Sequence, residues 1–316
     1  MKQLAIALAL ATLLTAAAHA EPVSFGIFGD TPYNSSERRR LPGLISAMGA
    51  ENLAVVIHIG DIKNGHSPCS DEVFRDILGA FQASQSPLVY VPGDNEWTDC
   101  QRKDNGQYDP VERLNKLREM FFTDDYALGQ RKLKLERQSR QAGFEAYVEN
   151  VRWEMGGVLF VGLNIPGSDN NIGKNPLQPA AEFVARGIAN EHWLRESFAI
   201  AKARKMPGIL IAIQADPDFE ADAMGHTNLA YRDFLKQLRE ETLAFTGKVV
   251  LAHGDTHYER IDKPLFDAQT FKSVHNFTRV ETYGSPFMGW VKGVVDTNDP
   301  EVFHFSPRPY SPAQPQ

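Results

Sequence analysis

The sequence predicts an α/β fold in which a mostly parallel sheet carries a second sheet packed against it. Short β-branched or apolar runs alternate with stretches of helical apolar spacing, the pattern of parallel strands joined by crossover helices. Two late strand-like segments, 276–284 and 290–296, flank a Gly/Pro-containing stretch and read as an antiparallel pair. A purely doubly wound sheet does not accommodate such a pair, whereas two packed sheets do.

Residues 1–20 stand apart from the fold. Lys2 precedes an apolar run, and Ala18-His19-Ala20 places small residues where a signal peptidase reads them. A signal peptide cleaved after Ala20 is therefore expected, with a periplasmic or secreted destination. The run is short for a membrane span and no later stretch reaches that length. Residues 21–306 read as one domain. Strand-like runs fall at 23–28, 53–59, 87–91, 158–163, 208–213 and 248–252, and helix-like ones at 72–84, 109–122, 189–205 and 228–245. Segment 101–150 is polar and interrupts the alternation directly after the third run. It is expected to be a lid over the strand ends or a solvated excursion. The proline-rich residues 307–316 are expected to form a surface tail.

A net charge of −7 without a basic block argues against nucleic-acid backbone binding. Cys69 and Cys100 are the two cysteines, each a few residues beyond a strand-like run. If those runs are neighbouring strands the loops meet and the cysteines pair, which an oxidising compartment preserves; otherwise they are free thiols. Closing such a loop is worth roughly 3–4 kcal/mol on the chain-entropy estimate.

Four of the strand-like runs close on Gly-Asp, at Asp30, Asp61, Asp94 and Asp255, and the chain contains no other Gly-Asp. Each one alone has a plain reading as a helix N-cap. Four together place carboxylates beyond the carboxyl ends of sheet strands, where α/β folds build their sites. Crowded carboxylates repel and are driven to protonate, and a bound cation reverses this. Two divalent ions sharing a bridging carboxylate would accommodate the set and would suit hydrolysis of a phosphate ester. His257, in His253-Gly-Asp-Thr-His257, adds a nitrogen donor, and Gln214, after the run 208–213, adds an amide oxygen. There is no Gly-x-Ser-x-Gly, Walker loop, Cys-x-x-Cys or His-Glu-x-x-His.

Asp30-Thr-Pro32, Gly60-Asp61, Gly93-Asp94-Asn95-Glu96, Gln214 and Gly254-Asp255-Thr-His257 occur in the order of the metal-binding blocks of the calcineurin-like metallophosphoesterases. The chain after residue 20 resembles that family along nearly its whole length. The resemblance implies a four-layer α/β/β/α sandwich of two mixed β-sheets flanked by helices. It also implies a first ion held by Asp30, Asp61 and His257, and a second held by Asp61, Asp94, Gln214 and Asp255. Pro32 stands where the family has a ligand His, Asp94 where it has Asn, and Asn95 where it has the His that contacts phosphate. Gln214 and Asp255 replace two further ligand imidazoles. Exchanging imidazole for oxygen favours Mg, Mn or Ca over Zn or Fe. Loss of the His at 95 removes a proton-transfer partner, an effect of about 10²–10⁴ in rate.

The expected function is thus an exported metal-dependent phosphoesterase acting on a small phosphate mono- or diester. Asn95 and His257 are its catalytic candidates, and Asn95, His66 and Arg102 its substrate-binding ones. The alternative is a non-catalytic protein of the same fold that binds metal or a phosphorylated ligand. Oligomeric state is not legible in the sequence.

Overall fold

The computed structural model describes residues 21–178 and 180–311. The expected signal peptide and the end of the expected tail lie outside the described residues. In chain order the first elements are β1 (Val23–Phe28), α1 (Ser35–Ala50), β2 (Val55–His58), α2 (Asp71–Gln82), β3 (Leu88–Tyr90), α3 (Pro110–Phe121), β4 (Glu136–Arg137), β5 (Val151–Met155) and β6 (Val158–Gly162). There follow α4 (Ala181–Ala203), β7 (Gly208–Ala212), α5 (Phe219–Ala223), α6 (Arg232–Leu243), β8 (Lys248–His253), β9 (Arg260–Asp262), β10 (Phe277–Glu281), β11 (Gly289–Val295) and β12 (Phe303–Pro309).

Two mixed sheets result, with orders β12-β11-β1-β2-β3 and β4-β5-β6-β7-β8-β10-β9. Strands β1, β2 and β3 run parallel in the first, and β6, β7, β8 and β10 in the second. Alternation along the strands sends side chains to opposite faces. Phe25, Ile27, Val55 and Ile57 join Phe160, Leu210 and Val250 in an apolar layer between the sheets. Phe28 and Val56 turn the other way, onto Leu44, Phe74, Phe81 and Leu117 of α1, α2 and α3. On the far side Val161, Ile211 and Leu251 meet Trp193, Phe198, Leu235 and Leu238 of α4 and α6. The architecture is therefore the four-layer sandwich.

Helix α2 shows how local sequence serves these layers. Ser70 caps it by accepting from the Val73 N–H, and Phe74, Ile77 and Phe81 fall on one buried stripe. Asp109 and Pro110 start α3 in the same manner, and Leu114, Leu117 and Phe121 are buried.

Three expectations are corrected. Residues 276–284 and 290–296 do not pair with each other: β10 lies between β8 and β9 of the second sheet, while β11 pairs with β1 and β12 of the first. The stretch between them crosses from one sheet to the other. Segment 101–150 is not a solvated excursion throughout. Its helix α3 fills the core of the first sheet and β4 extends the second. Residues 307–309, expected in the tail, complete β12 against β11. No helix among the described residues is long and apolar enough to cross a membrane.

Candidate functional site

The exits of β1, β2, β3 and β8 carry Asp30, Asp61, Asp94 and Asp255, and Gln214 follows β7. The two sheets meet here, since the Asp255 N–H donates to Asp30 Oδ1 across the sandwich at 3.1 Å. Asp30, Asp61, Asp255 and His257 have φ of 50°, 61°, 76° and 65°, left-handed values that Asp tolerates better than bulky residues and that cluster at functional sites. The preceding glycines serve close approach. A Cβ at Gly254 would lie 2.1 Å from Asp30 Oδ2, and one at Gly93 would lie 2.2 Å from Asp61 Oδ1.

Asp61 Oδ2 accepts from the Tyr33 hydroxyl at 2.6 Å and the Asn95 amide at 2.5 Å, and Oδ1 accepts from the Asn95 N–H at 3.1 Å. Asn95 Nδ2 also lies 2.8 Å from the Tyr33 oxygen. His257 turns Nδ1 to the Ser285 carbonyl at 2.8 Å and Nε2 to the Tyr33 oxygen at 3.2 Å and Asp30 Oδ1 at 3.7 Å. Because a carbonyl only accepts, Nδ1 carries a proton, and Nε2 is the ring nitrogen that faces Tyr33 and Asp30. On the other side Gln214 Nε2 donates to Asp255 Oδ1 at 3.3 Å, its Oε1 accepts from the Gly167 N–H at 2.5 Å, and Ser168 Oγ donates to Asp94 Oδ2 at 2.6 Å.

The acids crowd one another. Burial, then the Asp255 charge, pushes the Asp30 carboxyl well above its ordinary range. Burial, then Asp94, does the same to Asp61 and lifts Asp255 to about 7. Among the described residues no Lys or Arg bonds to Asp30, Asp61, Asp94 or Asp255. Asp30 Oδ2 and Asp94 Oδ1 are buried without any hydrogen-bond partner.

The structure brings Asp30, Asp61, Asp94, Asn95, Gln214, Asp255 and His257 together, and Arg102 joins them at the edge. Its guanidinium contacts Asp99 at 2.5 Å and Ser168 Oγ at 3.3 Å. His66 is not part of the cluster: it is exposed, with only its N–H tied, to Asn64. Cys69 and Cys100 form a disulfide that joins the loops after β2 and β3.

Four further residues were not singled out in the sequence. Tyr33 follows Asp30 by three positions, the one hint of its place. Glu96 accepts from the Asp61, Ile62 and Gly93 N–H groups and from the Tyr90 hydroxyl, locking the β2 exit to the β3 exit. Lys63 is buried and ties the Asn95 carbonyl at 2.5 Å. Ser168 begins four consecutive left-handed residues, Ser168, Asp169, Asn170 and Asn171. Such a run costs roughly 1–2 kcal/mol per residue. The buried Arg186 holds it through Asn170 O and Oδ1, and Asn228 through Asp169. Nothing local in the sequence announces that turn.

The donors suit oxygen-preferring divalent ions. Unpartnered carboxylate oxygens and uncompensated buried acids are what a cation would satisfy. Among the described residues no group of three or more His, Cys, Asp and Glu side chains is arranged to hold a metal ion by itself.

Neither a protein-family model nor a curated protein matches the chain. Solved structures do. A dimetal phosphatase from Danio rerio superposes with a TM-score of 0.56 at 12% identity, covering 91% of this chain and 96% of that one. PhoD gives a TM-score of 0.57 at 14% identity over 88% of this chain and 65% of its own length. GAP50, the anchor in the inner membrane complex of Plasmodium, gives 0.51 at 10% identity over 92% and 89%. At these identities the likeness establishes a metallophosphoesterase fold.

Proposed function

We propose that the protein is an exported, metal-dependent hydrolase of small phosphate mono- or diesters. One observation carries the reading: four strand-end carboxylates from two sheets converge with no Lys or Arg bonded to them among the described residues, and two of their oxygens have no partner. The Cys69–Cys100 disulfide supports export, because such bonds persist in oxidising compartments.

In this reading Asp30, Asp61 and His257 hold one divalent ion, and Asp61, Asp94, Gln214 and Asp255 hold another, with Mg, Mn or Ca preferred. When bound, such ions polarise the ester and activate water near neutral pH. The chain supplies the rest. The Ser285 carbonyl orients the His257 ring with its Nε2 facing Tyr33 and Asp30. The Asn95 amide, held between Asp61 and Tyr33, turns to orient the phosphoryl group. Arg102, on the rim beside Ser168, neutralises a phosphate oxygen. No imidazole stands at 95 to protonate a leaving group, so esters of acidic alcohols react faster than alkyl esters.

The test is a chelator-stripped preparation assayed on p-nitrophenyl phosphate and its bis-ester with Mg, Mn, Ca and Zn added singly. Turnover that requires metal, is greater with Mn or Mg than with Zn, and disappears in Asp61→Asn is the expected result. The Asn at 95 also suits the non-catalytic alternative, and ion uptake without turnover of either ester would assign the protein to it.

A further inference from the structure

We propose that Tyr33 is a ligand of the first metal ion, its phenolic oxygen taking the place of the imidazole that Pro32 does not provide. The proposal rests on the metal-dependent reading above and adds a donor to it. Four donor atoms follow one another at contact distance. Asp30 Oδ1 is 3.7 Å from His257 Nε2, which is 3.2 Å from the Tyr33 oxygen, which is 2.6 Å from Asp61 Oδ2. Neighbouring ligands of an octahedral ion with bonds of about 2.1 Å stand about 3 Å apart, and the three separations bracket that value.

The Tyr33 oxygen is the point at which Asp61 Oδ2, His257 Nε2 and Asn95 Nδ2 converge.

The scaffold around Tyr33 is built to hold it there. Its N–H donates to Glu37 Oε2 at 2.7 Å, and its carbonyl accepts from Asn64. Glu37 is 2% exposed, and its other oxygen accepts from Ser285 Oγ at 2.7 Å. Ser285 in turn holds His257 through its carbonyl. One buried carboxylate thus sets the spacing between Tyr33 and His257, whose rings meet edge-on with centroids 5.0 Å apart. Supporting contacts of this kind orient metal ligands elsewhere. A plain latch, with Tyr33 only hydrogen-bonded to Asp61, would leave metal affinity unchanged when the hydroxyl is removed.

Metal-stripped wild type, Tyr33→Phe and Tyr33→His are titrated with Mn²⁺ by calorimetry, with tyrosine ultraviolet difference spectra recorded at each addition. Circular dichroism checks that each variant is folded. Wild type is expected to bind Mn²⁺ with a phenol difference band. Tyr33→Phe loses the band and binds one ion at least about tenfold to hundredfold more weakly, and Tyr33→His recovers the affinity without the band. Wild-type uptake with no phenol band, together with unchanged affinity in Tyr33→Phe, overturns the ligand role and leaves the metal-dependent reading standing. Absence of Mn²⁺ uptake by wild type at any loading overturns both.

Discussion

Buried acids occur in two settings in this molecule, and the contrast between them identifies the site. Glu149 is fully buried, and Arg118 meets it through Nε at 2.9 Å and Nη2 at 2.6 Å. Burial alone would raise its carboxyl, but the guanidinium overrides burial and holds it below the ordinary range. At the strand-end rim Asp30 and Asp61 are equally buried, yet their nearest charges are other acids, and their carboxyls are pushed up. Among the described residues Glu149 has an arginine bonded to it, and these four acids have neither Arg nor Lys. A buried charge without a partner is among the costliest features a fold can keep, and this is the ground of the metal-dependent proposal.

The largest expected effect breaks the rim. Lewis-acid stabilisation is worth several kcal/mol, so Asp61→Asn should lower kcat by about 10³-fold or more, measured on p-nitrophenyl phosphate with Mn²⁺. The same substitution should raise the melting temperature of the metal-free protein, since it removes one of the repelling charges. Glu149→Gln probes the opposite setting. It leaves the Arg118 guanidinium largely buried without its charge partner and should destabilise the protein by about 3–5 kcal/mol, read from urea unfolding. If both substitutions destabilise the metal-free protein alike, the contrast fails.

The pH dependence sharpens the comparison. At the rim the folded-state pKa is raised, to about 7 for Asp255 by burial and then Asp94. The folded protein therefore holds protons that the unfolded chain releases. This contribution to stability is present at acid pH and is lost as pH rises through about 7. Glu149 has the reverse sign, its contribution being lost as pH falls through its lowered value. Melting curves of the metal-free protein at pH 5 and pH 8 should show the rim penalty at pH 8, and added Mn²⁺ should restore more stability there than at pH 5. The smallest effect is expected of His66→Ala. That ring is exposed and outside the cluster, so kcat should change by less than about twofold.

Much of this was legible because it is local. The apolar runs ending at Asp30, Asp61, Asp94 and Asp255 mark buried strands whatever they pair with, and all four acids lie on one rim. The runs 72–84 and 109–122 mark helices α2 and α3, which Ser70 and Asp109 cap in the structure. Helix α1 was missed because its opening, Ser35-Ser-Glu-Arg-Arg-Arg40, is polar and Pro42 interrupts it. His66 lies apart from the cluster because adjacency to Asp61 in the chain says nothing of which way a loop turns. Ser168 reaches Asp94 from 74 positions away through a left-handed turn that Arg186 supports, and no short stretch encodes that.

By itself the sequence determined the fold class, the number of acids at strand exits and their order, since periodicity and turn chemistry are properties of neighbouring residues. Tertiary structure alone decided which strands pair, sending β10 and β11 to different sheets, and which side chains meet at the rim. Tyr33, Asp61 and His257 come from three separate loops, and their meeting depends on how two sheets and Glu37 are packed. The reason is physical: local pattern specifies which face of an element is apolar, while distances of 3 Å between remote atoms are set only when those faces are buried against one another.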